Sequence, residues 1–556
     1  MSLPGPGRFP HVLAWGLVAL AAAAGPLLAV GLPGSFASSG QDTGAALLWL
    51  HGMRAAIAQG EWWPRWLMEG NRTFGSPVFL FYPPGAYWIG SAVQAALGLD
   101  TAQALVAAAL LFRLACCAFA YAWLRQEASP RAAMAGTALA ALQTYDMLVN
   151  PLVRFAFAEM AGTAALFLAL AAAGARRPGR WLPPAFAVVV MTHLPMAVLA
   201  GGVLPAWSAA RHGLRRSAGT LLLCLLGAAM AGAYLLPALL LLPQINAAGW
   251  ETGGLTTWSG HFLLEPARPP KAPVQFWLMN AGLLVMIATA LLARPWRDRR
   301  LRGPALLFGA LCLLMTRLSW PAWVLLPPLR AVQFPWRLMP FAVALWAVLL
   351  ARRLDAPDGG GRLAPAAALA FAAAALWIPF SAVTARLPEL ARYDWTRLRI
   401  EAAGPRPLPS RNPPEYAPRA ATRAGWRAED AGTDALLAVR LAGAAVPGLV
   451  TERVPPDHLH VTGSLAAPAS LLLPQLAFPG WAAAGTAAAL ATDPASGLLR
   501  LDLPAGAVDV TVVRIPTKEE RIGWGVSATA IPLWLLLGWA VPRRRAAAGR
   551  NRDGEA

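Results

Sequence analysis

Residues 102–131 read AQALVAAALLFRLACCAFAYAWLRQEASPR, and this stretch decides the fold. From Ala102 to Leu124 it carries one charge, Arg113, and it is long enough to cross a hydrocarbon core of about 30 Å, which takes roughly 20 apolar residues. The run stops at Arg125 and Arg131, and short loops rich in arginine stay on the cytoplasmic side of a membrane. Apolar runs closed by arginine recur along the chain, so these residues set a rule for reading the rest.

The composition agrees. Of 556 residues 57% are hydrophobic and 13% charged, where globular domains carry about 25% charged residues, so an ordinary soluble enzyme is excluded. The net charge of +19 comes from 47 basic and 28 acidic residues, and the only lysines are Lys271 and Lys518. The arginines are scattered between apolar runs rather than gathered on a soluble face, which argues against nucleic-acid binding. Cys116, Cys117, Cys224 and Cys312 lie inside apolar stretches without a CxxC pair or neighbouring histidines, so no zinc site follows.

Applied loop by loop, the arginine rule puts five further clusters in the cytoplasm with Arg125 and Arg131. These are Arg176, Arg177 and Arg180; Arg211, Arg215 and Arg216; Arg294 to Arg302; Arg352, Arg353 and Arg362; and the tail from Arg543 to Arg552. Between clusters the chain must leave and return. The expected pairs are 131–149 with 157–174 around Asn150-Pro151, 180–192 with 194–208 around His193, 217–243 with 272–292, 301–316 with 336–351, and 363–382 with 523–541. The run from about His11 to Leu32 is a first crossing rather than a cleaved signal peptide. Parity excludes one of the two segments 77–99 and 102–124. The first, with Pro77, Pro83, Pro84 and the aromatics Phe79, Phe81, Tyr82, Tyr87 and Trp88, is expected to lie along the outer surface.

The expected fold class is mainly α: a polytopic membrane protein of about twelve transmembrane helices, both termini cytoplasmic, with a small extracytoplasmic β-sandwich-like domain. Residues 1–383 form the transmembrane domain with a large first outer loop, 33–100. Residues 384–522 are the soluble-looking stretch, with alternating runs at 436–441 and 508–514 and turns at Phe478-Pro479-Gly480-Trp481 and Leu503-Pro504-Ala505-Gly506. Residues 523–556 are a final helix and basic tail.

Outward polar residues are the candidates for chemistry. Asp42 stands before an expected helix over 43–59 that carries His51 and Arg54, and Trp62, Trp63, Arg65 and Trp66 follow. Tyr145, Asp146, Arg154 and Glu159 flank the second outer turn, His193 caps the third, and Arg317, Arg330, Gln333 and Arg337 surround the fifth. A cap for Asp42, a helix-dipole role for Glu159 and headgroup anchoring for Arg337 are the competing structural readings. Outward arginines oppose the charge bias, however, and so need a reason of their own.

In order and spacing, Asp42, His51, Gly60, Pro64-Arg65-Trp66, Gly75, Pro77, Phe81-Tyr82-Pro83-Pro84, Arg154 to Glu159, Thr192-His193-Leu194, Phe334-Pro335-Trp336-Arg337 and Phe478-Pro479-Gly480-Trp481 resemble the bacterial membrane proteins labelled "6-pyruvoyl-tetrahydropterin synthase-related", which are similar to YfhO-type proteins. These in turn resemble the GT-C glycosyltransferases. The resemblance covers nearly the whole chain and implies a bacterial inner-membrane enzyme that takes a sugar from a polyprenyl-phosphate carrier at the outer face, for cell-envelope glycan or lipid modification. It also implies that an acidic residue of the first outer loop is catalytic. Pterin chemistry does not follow from the label, because His458 and His460 have no third histidine nearby.

On that reading Asp42 is the base and Glu159 a second carboxylate, Arg154 and Arg337 hold the departing phosphate, and His51, His193, Tyr82 and Trp62 line the site for a lipid-linked sugar donor. The sequence points to no cofactor for certain, and whether a divalent metal bridges Asp42, Glu159 and the phosphate is left open. The alternative is a non-catalytic lipid-carrier-binding factor or transporter, which calls for charge deep in the membrane. Arg113 is the clearest such residue.

Overall fold

The computed structural model describes residues 42–247 apart from 72, then 257–265, 273–356, 414–425, 446–454 and 458–540, with four residues of the first apolar run. Most of the expected crossing over 11–32, the crossing 363–382, the strand 436–441, Arg362 and the tail arginines lie outside the described residues. Those described are mainly helical, with a small antiparallel sheet region.

Besides the short helices Trp320–Leu325, Pro327–Arg330 and Arg419–Arg423, the described helices are α1 (Thr43–Ala58), α2 (Val78–Phe81), α3 (Gly85–Leu97), α4 (Thr101–Leu124), α5 (Pro130–Leu142), α6 (Phe157–Ala173), α7 (Pro178–Thr192), α8 (Leu194–His212), α9 (Leu214–Met230), α10 (Gly232–Leu240), α11 (Pro273–Leu292), α12 (Arg299–Leu314), α13 (Met339–Leu354) and α14 (Lys518–Leu535). The opening stretch is α4, whose start is fixed by a reciprocal cap: Asp100 accepts from the Gln103 amide at 2.8 Å and its own amide donates to the Gln103 side chain at 3.2 Å. Its 24 residues span about 36 Å at 1.5 Å each. Helix α13 is buried along nearly its whole length, from Met339 to Ala351, as an apolar sequence without a polar stripe requires at the centre of a bundle.

The arginine clusters meet at one end of this bundle. Glu127, in the loop between Arg125 and Arg131, takes Arg211 at 2.6 Å and Arg352 at 2.9 Å on one carboxylate oxygen. Arg211 also donates to the Arg300 carbonyl at 3.3 Å, Gln126 donates to the Ala171 carbonyl at the end of α6, and Arg180 lies over the Trp539 ring beyond α14. Helices α4, α6, α8, α11, α13 and α14 therefore run toward this end, and α5, α7, α9 and α12 run away from it.

Among the described residues three helices are long and apolar enough to cross a membrane: 101–124, 275–297 and 518–539. The expected single helix over 217–243 is two, α9 and α10, bent by 81° at Ala231, and as one broken span they make a fourth. The other helices between the two ends are shorter, 13 to 16 residues in α5, α7, α12 and α13, or about 20–24 Å. The segment 77–99 breaks at Tyr82 to Pro84 into a single turn and a 13-residue helix, so it is not one continuous helix. The expected turn at Asn150-Pro151 is instead inside a π-helical stretch, Tyr145–Arg154, and the reversal comes at Phe155, in left-handed conformation (φ 51°). The last helix starts at Lys518 rather than 523, because Thr517 and Glu520 form a reciprocal cap there.

The sheets are β1 (Leu449–Val454), β2 (His458–Leu465), β3 (Ala469–Leu476), β4 (Trp481–Gly485), β5 (Ala489–Thr492), β6 (Leu498–Leu503) and β7 (Gly506–Arg514), in antiparallel orders β1-β2-β7-β4 and β3-β6-β5. Leu459, Val461, Leu473, Leu501, Val510 and Val512 form one core between the two sheets, which is the sandwich arrangement expected, and both proline-glycine turns fall between strands. The sandwich rests on the segment between α1 and α2. The Leu476 amide and the Gln475 side chain both donate to the Phe74 carbonyl, and Trp66 packs against Phe478 and Trp481. Beneath it, buried Glu520 holds Arg514 at 2.5 Å and Arg65 at 3.6 Å, while Arg65 also donates to the Ala233 carbonyl at the bend between α9 and α10.

Candidate functional site

Asp42 occupies the N-cap position of α1 but does not cap it: its side chain makes no hydrogen bond to the first turn. Its amide donates to the Arg154 carbonyl at 2.9 Å, and its carboxylate lies 3.5 Å from the Arg154 guanidinium. Main chain and side chain thus both fasten the start of α1 to the end of the π-helical stretch. The competing reading of Asp42 as a simple cap is corrected, because the charge of Arg154 outcompetes neutral amide donors.

Phe155 reverses the chain directly after Arg154, so Glu159 in the first turn of α6 returns to it. Arg154 Nη1 is 2.8 Å from Glu159 Oε2 and also donates to Asn150 Oδ1 at 3.2 Å. Tyr145 donates its hydroxyl to Glu159 Oε1, and Arg337 places Nε 3.7 Å from Oε2. Arg337 is positioned by its own turn, donating from Nη1 to the Val332 carbonyl at 2.6 Å and to Gln333 at 3.0 Å. The Phe334 ring lies under both guanidinium groups, 4.8 Å from that of Arg337 and 5.8 Å from that of Arg154.

Two carboxylates and two arginines are therefore brought together by α1, the π-helical stretch, α6 and the turn before α13, at the end of the bundle opposite the arginine end. Glu159 is sealed, its side chain 1% exposed and both oxygens filled by donors, whereas Asp42 keeps 51% exposure. Surrounding protein raises the pKa of Asp42 above its usual 3.8 by desolvation, Arg154 and Arg337 oppose the rise, and the open half of the side chain lets solvent screen much of it.

The chain matches no protein-family model and no curated protein.

His193 caps α8 through Nδ1, which accepts from the Met196 amide at 3.2 Å. It lies against α6 one turn beyond Glu159, where a Cβ on Gly162 would come within 2.6 Å of its own, so only glycine permits that approach. Tyr82 packs on Trp49 at 4.6 Å and against Tyr87 and Tyr416, and the charge of Asp42 reaches it. Burial, then Asp42, raise its pKa above 10, so its hydroxyl stays a donor.

Two expected lining residues are not brought in. Trp62 is 73% exposed, and its carbonyl accepts from the Trp88 indole. His51 lies nine residues along α1 from Asp42, about 13 Å at helical rise, and among the described residues no hydrogen bond or ion pair joins it to the cluster. Arg317 pairs with Glu265, and Arg330 donates to the carbonyls of Trp323 and Val324, so neither joins the cluster.

Two participants escaped sequence reasoning. Asn150, four residues before Arg154, carried a helical-spacing signal that its expected place in a turn concealed. Tyr416 is far from Asp42 in sequence and carried none. As for a metal, among the described residues no three His, Cys, Asp or Glu side chains gather around one point. Between Asp42 and Glu159 the Arg154 guanidinium already supplies the positive charge that a bridging ion would bring, so this donor set does not favour one.

Proposed function

We propose that this chain is a membrane glycosyltransferase of the GT-C type, with about twelve spans and both termini cytoplasmic, that transfers a sugar from a polyprenyl-phosphate carrier at the extracytoplasmic face. The observation that carries the reading is Asp42: it is the solvent-open carboxylate of a cluster of two acids and two arginines, opposite the arginine end, on the first outer loop. The GT-C resemblance expects the catalytic acid on that loop.

Asp42 takes the proton of the acceptor hydroxyl as the hydroxyl oxygen attacks the anomeric carbon. The bond from that carbon to the phosphate oxygen breaks, and the lipid phosphate leaves with the electron pair. Proton transfer of this kind contributes about 10²- to 10⁴-fold. Arg154 acts as a positioning residue, since its guanidinium is committed to Asp42 and Glu159. Glu159, sealed by its donors, fixes both arginines rather than touching an acceptor. Arg337 meets Glu159 only at 3.7 Å and is the cation with more of its charge to give a phosphate.

The rival, a lipid-carrier-binding factor or transporter, draws no support from Arg113. That residue is buried in α4 and donates to the Ala141 carbonyl at 2.7 Å, tying α4 to α5. The test is to reconstitute the purified chain in vesicles with labelled polyprenyl-phosphate sugars and acceptor lipids. Transfer by the wild type that Asp42→Ala abolishes supports the proposal; transfer undiminished in Asp42→Ala sinks the assignment of the base.

A further inference from the structure

At the arginine end a groove of about 650 Å³ opens between α11 and α12. Its walls are apolar, with Ile287, Leu291, Leu306 and Leu313 among them, and its floor reaches Leu349 of the central helix α13. Along α12 it extends from Arg302 to Leu313, about 17 Å at helical rise, and Thr316 and Leu318 carry its lining past the end of that helix. A groove of this volume falls in the range of small-molecule sites.

Its mouth is strongly cationic. Arg302 lines it and donates from Nε to the Trp296 carbonyl at 3.0 Å, and Arg294, Arg297, Arg299 and Arg300 flank it in sequence, all exposed. The sole acid in this run, Asp298, is occupied as the cap of α12, accepting from the Arg300 amide at 2.8 Å. Among the described residues no carboxylate pairs with any of the five arginines. Trp296, half exposed and lining the same mouth, suits the headgroup level.

We propose that this groove seats one anionic glycerophospholipid of the arginine-side leaflet, an acyl chain between α11 and α12 and the phosphate against Arg302 and its neighbours. Charge selects this occupant. The apolar segment 363–382 has no carboxylate and would leave the arginines unmatched, and a second copy of the chain would set like charges against each other. The lipid carrier proposed above belongs at the opposite face. The inference rests on the membrane reading alone and is independent of catalysis.

Gly309 lines the groove, and a Cβ added there meets no atom within 4 Å, so Gly309→Leu fills the space without displacing protein. The full chain is reconstituted in nanodiscs of phosphatidylcholine with a minor fraction of phosphatidylglycerol, and the retained lipid is read by native mass spectrometry. The wild type retains one phosphatidylglycerol in preference to phosphatidylcholine, and Gly309→Leu loses it. Arg302→Gln reduces the preference about fivefold, as one basic residue near a membrane surface is worth about 1 kcal/mol. A wild type without preference, or retention unchanged in Gly309→Leu, overturns the proposal. So does a disulfide between Gly309→Cys and Phe371→Cys that forms whatever the lipid, since it gives the groove to residues 363–382. If Gly309→Leu does not fold, an unchanged lipid preference in Arg302→Gln is enough to overturn it.

Discussion

Glu159 and Arg154 form a buried ion pair at 2.8 Å, with side chains 1% and 5% exposed, and this pair should carry a large, non-additive share of stability. Glu159→Leu leaves Arg154 only the more distant Asp42 and the neutral Asn150 and weakens the hold on Arg337, and Arg154→Met leaves Glu159 only Tyr145 and the more distant Arg337. Removing one partner of a buried pair costs about 3–5 kcal/mol, because the other charge remains uncompensated. At about 2 cal/mol/K of unfolding entropy per residue, the 556 residues give roughly 1 °C of melting shift per kcal/mol, so each single variant should melt about 3–5 °C lower. The double variant removes both charges and should recover more than half of the summed loss. Asp42→Asn, half exposed at 3.5 Å, should cost under about 1 kcal/mol. The assay is differential scanning fluorimetry of the wild type and these four variants in one detergent. Additive losses in the double variant, or single variants that melt with the wild type, would refute the buried pair.

Three further expectations follow from the same structure. Transfer should fall as the pH drops through the pKa of Asp42, since the base must be deprotonated; because that pKa is raised, the acid limb of a rate profile should lie above that of an ordinary aspartate, and Asp42→Asn should erase it. With Cys116, Cys117, Cys224 and Cys312 replaced by alanine, single cysteines introduced as Trp62→Cys and Arg299→Cys should separate in intact cells, the first labelled by an impermeant maleimide and the second protected; equal labelling would break the two-ended topology. Gly75→Ala should loosen the sandwich, because Gly75 has φ +85° and an added Cβ would meet Trp66 at 2.0 Å, and limited proteolysis should then cut the chain near residues 515–517 sooner than in the wild type.

The two-ended bundle was legible in arginine, because clusters spaced by pairs of apolar runs return the chain to the same end each time. Glu127, which gathers two of those clusters, was not legible: an acid in a basic loop says nothing about which distant arginines reach it. The bend at Ala231 had a signal in Gly232 and Pro237, but apolarity over 217–243 spoke louder. In the site, the position of Asp42 before α1 could be read, and its rejection of the cap could not, since that depends on Arg154 arriving from 112 residues away. Arg154 and Glu159 looked like one turn of polar residues, and only the left-handed Phe155 turns them into a pair. Trp62 and Trp66 were indistinguishable by type, yet the first is exposed and the second anchors the sandwich.

The central claim is that Asp42 is the base of a sugar transfer at the face opposite the arginine end. Its most direct test is a single-turnover measurement, in one vesicle preparation, of labelled sugar leaving a polyprenyl-phosphate donor with wild type and with Asp42→Asn, the fold of the variant checked by its melting curve. The account predicts a loss of about 10²- to 10⁴-fold with melting nearly unchanged. A folded Asp42→Asn protein that transfers at the wild-type rate would contradict it.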